Sequence, residues 1–90
     1  NQLITVGDRG YIRLSSTSAT STARTITLSD GLVRGQLLLL ECVTTGAFEV
    51  DDNAATNNTN ASAARPLGVG DTIMLVWNGT DWAELNYSNN

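Results

Sequence analysis

Ninety residues give room for a single core, so the chain reads as one β-domain spanning 1–90. With no histidine and one cysteine, Cys42, it offers neither a histidine-based catalytic triad nor an intrachain disulfide, and zinc lacks its usual ligands. A net charge of −4, with arginines scattered at 9, 13, 24, 34 and 65 and no lysine, gives no clustered phosphate-binding surface and excludes nucleic acid as the main partner.

A domain this small buries only roughly 60–65% of the surface its unfolded chain exposes. It needs a staple, and with disulfide and metal gone, partner subunits are the expected one. No apolar run approaches the roughly 20 residues of a membrane-spanning helix; the longest runs from Leu37 to Leu40. No signal-peptide pattern is visible, and the missing initiator methionine fits a trimmed N-terminus. Threonine favours strands, asparagine and glycine favour turns, and this composition is rich in all three. Sequons at Asn57, Asn60, Asn78 and Asn86 are what chance yields in such a chain.

In chain order, Gln2–Val6 reads as a strand ended by the turn Gly7-Asp8-Arg9-Gly10, and Tyr11–Leu14 as a second. Ser15–Ala23 has no apolar period and reads as a loop. Arg24–Ser29 alternates, with Ile26 and Leu28 on one side and Thr25 and Thr27 on the other, before a turn at Asp30-Gly31. Gly35–Val43 is apolar on both faces: Leu38, Leu40 and Cys42 on one, Leu37, Leu39 and Val43 with Glu41 on the other. Thr45-Gly46 turns the chain into a strand at Ala47–Val50.

Asp51–Ala64 is polar and asparagine-rich, expected to be a surface loop outside the core. Pro66 and Gly68 bring the chain back. Thr72–Trp77 and Trp82–Tyr87 form the clearest hairpin, closed by Asn78-Gly79-Thr80-Asp81. Ile73, Leu75 and Trp77 share one face, Met74 and Val76 the other, and Leu85 and Tyr87 continue one side of the second arm. Six or seven short strands without a helix predict a small β-sandwich, jelly-roll-like, or a β-barrel.

Chemistry is scarce. Cys42 lies in an apolar strand with no adjacent base and reads as a small hydrophobe. Gly68-Val69-Gly70 lacks the helix and lysine of a phosphate loop, and Asp51-Asp52-Asn53 lacks calcium-loop spacing. No catalytic, cofactor-binding or metal residue is expected. Two-sided strands are the informative feature, because a lone sandwich shows apolar residues on one face only. At about 25 cal/mol per Å², leaving several leucines in water forfeits several kcal/mol, which a domain this small cannot spare. Leu37, Leu39, Met74 and Val76 are therefore the candidate contacts with copies of the chain or with a shell. Trp82 and Tyr87, next to or beyond the hairpin turn, are the candidate exposed aromatics for a sugar.

The segment Gly70-Asp71-Thr72-Ile73-Met74-Leu75-Val76-Trp77-Asn78-Gly79-Thr80-Asp81-Trp82-Ala83-Glu84, with the tail Ser88-Asn89-Asn90, resembles the closing hairpin of small trimeric β-modules of tailed bacteriophages. These are head decoration (cement) proteins and tail-fibre tip domains. Thr25–Gly31 followed by Gly35–Leu40 is similar to an earlier strand pair of that family. The resemblance implies a virion structural protein, trimeric and without enzymatic activity. The expected role is a decoration protein bound to the major capsid protein. The alternative is a tail-fibre tip recognising host glycans.

Overall fold

A computed structural model describes residues 2–15, 24–43 and 48–90. Among them are nine strands and one helical turn. In order these are β1 (Gln2–Ile4), β2 (Tyr11–Leu14), β3 (Arg24–Leu28), β4 (Leu37–Cys42), β5 (Phe48–Val50), α1 (Ala54–Asn57), β6 (Thr59–Asn60), β7 (Arg65–Leu67), β8 (Thr72–Trp77) and β9 (Trp82–Ser88). They build a four-stranded sheet, β1-β3-β5-β7, and a five-stranded sheet, β2-β4-β8-β9-β6. The expected all-β sandwich is what forms. The expected turns at 44–47 and most of the loop at 15–23 lie outside the described residues.

The path of the chain differs from a series of hairpins. From β1 to β5 it alternates between sheets, and β1∥β3, β3∥β5 and β2∥β4 are all parallel. Parallel neighbours cannot be joined by a tight turn and need a crossover; here a strand of the opposite sheet supplies it. Arg24–Leu28 and Leu37–Leu40, expected from the resemblance to be a strand pair, therefore belong to different sheets.

The core lies between the sheets. Ile26, Leu28, Phe48, Val50 and Leu67 meet Leu38, Leu40, Cys42, Ile73, Leu75, Trp77 and Trp82, with Val6 and Leu14 at its margin. Alternation in β4 and β8 sends every second side chain inward, the period-2 consequence of the pleat. Gly31 is needed for space, not for a turn: a Cβ there would lie 2.3 Å from the Trp77 ring. In the β8–β9 turn, Gly79 takes φ 95° and the Asn78 side-chain oxygen accepts the Thr80 and Asp81 amides, each at 2.9 Å.

Asp51–Ala64 corrects the sequence reading. It holds α1 and β6, and Asn57, Thr59 and Ala61 are buried. Hydrogen bonds, not apolar area, fix it in place. Asn57 donates to Thr27 Oγ1 (2.9 Å), Thr59 Oγ1 donates to the Asp51 carbonyl (2.8 Å), and Asn58, at φ 63°, donates to the Leu28 carbonyl (3.0 Å) and Asp30 (2.9 Å). The return through Pro66 is itself a strand, β7, whose Leu67 enters the core.

Candidate interaction surface

The ladders of the five-stranded sheet sort its outward side chains into rows. Leu37, Val76 and Ala83 stand side by side across β4, β8 and β9, followed by Asn60 on β6. Tyr11, Leu39 and Met74 form the next row across β2, β4 and β8. Arg13, Glu41, Thr72 and Ser88 form the third. Two rows are apolar and the third is polar.

Leu37 is 52% exposed and Tyr11 48%; Leu39, Met74 and Val76 are half-buried by their neighbours in the face. A register shift beside Met74 inserts Leu85 as an extra residue, 55% exposed at the rim of the rows. Such a bulge leaves two residues opposite one and reverses facing beyond it. Leu85 and Tyr87, expected on one side, are separated for this reason: Tyr87 pairs with inward Ile73 and packs against the core. The four interface candidates of the sequence thus share one outward face. Tyr11, Ala83 and Leu85 join them, and only the register could have added them.

Arg13 and Glu41 are the charged side chains in these rows, and they are cross-strand neighbours. The Tyr11 hydroxyl donates to Glu41 Oε1. That bond, then desolvation and the Glu41 charge, holds the phenol above its usual pKa of 10.0, against the opposing pull of Arg13. The face therefore has no net charge although the chain carries −4.

Trp82 is not exposed. It is fully buried, tilted against Trp77 with ring centroids 5.5 Å apart, and its indole N–H donates to the Ser29 carbonyl at 2.9 Å. A large ring with one polar handle is best buried when that handle finds a partner, and the end of β3 provides one. Tyr87 is half-buried, its hydroxyl donating to the Pro66 carbonyl at 2.5 Å and its ring lying under Arg65, 4.9 Å from the guanidinium carbon. Burial raises its pKa first, and the nearby Asp71 charge adds to this. Neither ring offers the open stacking platform expected of a sugar site.

The remaining polar groups tie elements together. Arg65 reaches Glu84 through Nε (2.9 Å) and Nη2 (3.0 Å), and Ser62 also donates to Glu84. The Arg65 hydrogen bond, chiefly, holds the Glu84 carboxyl below its usual range. Asp71 is buried and accepts the Gly68 amide (2.8 Å) and the Asn90 amide (2.9 Å), clamping the C-terminus. Asp51 accepts the Asp52 amide at 2.8 Å. Among the described residues, no three acidic or sulfur side chains gather as a metal site would require.

No curated protein matches the chain. A family model, the phage depolymerase C-terminal beta sandwich domain, matches residues 2–83. Because that match runs from the first strand into the last and covers both sheets, the chain belongs to the family of C-terminal β-sandwich domains of phage depolymerases.

Proposed function

We propose that the chain is a structural module at the C-terminal part of a longer phage tail polypeptide, and that it assembles with copies of itself, as a trimer, through the outward face of the five-stranded sheet. The family favours a tail location over the head surface expected from the sequence, and with it the tail alternative over capsid decoration. One observation carries the assembly: Leu37, Val76, Ala83, Tyr11, Leu39 and Met74 form a continuous apolar face, not scattered single exposures. Isolated apolar residues on a surface need no explanation, but a contiguous patch does.

Charge supports a second copy as the occupant. The chain's net −4 opposes association at most surfaces, whereas this face carries one positive and one negative group. The role is structural, not catalytic or glycan-reading, since the aromatic candidates are spent on packing. Light scattering on the purified chain at tens of micromolar tests the reading. Three times the chain mass is expected; a monomer across that range contradicts it.

A further inference from the structure

The two ends of the sandwich differ. At one end the edge strands are β6, two residues long, and β7, which contains Pro66. Short length and proline both blunt an edge against further pairing. At the other end the edge strands are β1 and β2, with neither proline, lysine nor bulge.

The ladders show which backbone groups point outward there. The Leu39 and Val43 amides donate to the Gly10 and Leu14 carbonyls, each at 2.9 Å. Even-numbered residues of β2 thus turn their carbonyls to β4, and by the alternation of a strand the N–H and C=O of Tyr11 and Arg13 face away. In β1, the Ile4 carbonyl accepts the Ser29 amide at 3.0 Å, which turns the groups of Leu3 outward.

The winding indicates what fits. From β1 to β5 each strand lies parallel to the one two places earlier, in alternating sheets. A strand preceding β1 on the same path falls in the five-stranded sheet, beside β2 and parallel to it; the strand before that falls beside β1. We infer that the β1/β2 end is a docking edge for coils of parallel β-structure on the N-terminal side of Gln2, bonded to Leu3 in one sheet and to Tyr11 and Arg13 in the other. This rests on the reading of the chain as the terminal module of a longer polypeptide.

Amide hydrogen exchange on the 90-residue chain and on the polypeptide recovered from virions tests it. The amides of Leu3, Tyr11 and Arg13 should exchange freely in the chain and slow on the order of a hundredfold in the virion polypeptide. Equal exchange in both overturns the docking edge while leaving the terminal-module reading intact. A virion polypeptide of the same mass as the chain overturns both. In the long polypeptide, Arg13→Pro removes an N–H that β4 does not use. It should cost Leu3 and Tyr11 their protection while the β4 amides keep theirs; unchanged protection of Leu3 and Tyr11 counts against the inference.

Discussion

The Trp82 indole N–H donates to the Ser29 carbonyl across the gap between the sheets, 2.9 Å away. One side chain from the last strand of the five-stranded sheet thereby closes the end of β3 in the other. Trp82→Phe keeps an aromatic ring but removes the donor and leaves a void. Loss of buried volume together with an unpaired carbonyl costs about 2–3 kcal/mol. Chemical denaturation should show a lower midpoint with an unchanged slope. A midpoint equal to the parent's would mean that the bond contributes nothing net.

Gly31 tests the same region from the other side. Its absent Cβ makes room for the Trp77 ring, which a methyl would meet at 2.3 Å. Gly31→Ala should destabilise the fold by about 1–3 kcal/mol, the usual cost of overpacking. Thermal unfolding reads it, and a gain in Tm would contradict the packing described.

Leu39 and Met74 stand opposite each other in the middle of the outward apolar face. Leu39→Glu and Met74→Glu each place a carboxylate there without touching the core. The circular dichroism spectrum should stay that of the parent and stability change by about 0.5 kcal/mol or less per site. Assembly should be lost. Variants that still sediment with the parent's mass would remove this face from the interface.

The Arg65–Glu84 pair sets an acid limb. Glu84 is held below its ordinary carboxylate value near 4.5 by Arg65 first, with Ser62 adding to it. The folded state thus binds that proton less readily than the unfolded chain. Its contribution to stability is full above the unfolded value and disappears as pH falls through the folded one. Glu84→Gln should flatten the fall in Tm below pH 4.5. An acid limb as steep as the parent's would assign it to other carboxylates. The pair is largely in contact with solvent, so the effect should shrink with added salt.

Strands with strict alternation were legible in the sequence. Tyr11–Leu14 and Thr72–Trp77 form with the expected bounds, and Leu38, Leu40, Ile73 and Leu75 point inward as their period demands. The shared outward face of Leu37, Leu39, Met74 and Val76 was legible for the same reason. Asn57, Thr59 and the strand of Leu67 were not, because hydrogen bonds to Thr27, Asp51 and Leu28 carry that segment and periodicity reports only apolar burial. Tyr87 and Leu85 were misassigned because one inserted residue beside Met74 reverses facing and leaves no mark in composition. Trp82 flanks a turn, a position that reads as exposed until the facing sheet is in place.

The alternation of β1 to β5 between the layers bears on how the chain reaches its native state. Each parallel partner is separated in sequence by a whole strand of the other layer, so neither layer can form from one contiguous stretch. Only β8 and β9 are neighbours both along the chain and in the ladder. Topologies that close such long loops before gaining contacts fold in milliseconds to seconds, not microseconds. The terminal hairpin is the local unit around which the rest condenses, so Gly79→Val at its turn should slow refolding more than it speeds unfolding in stopped-flow measurements.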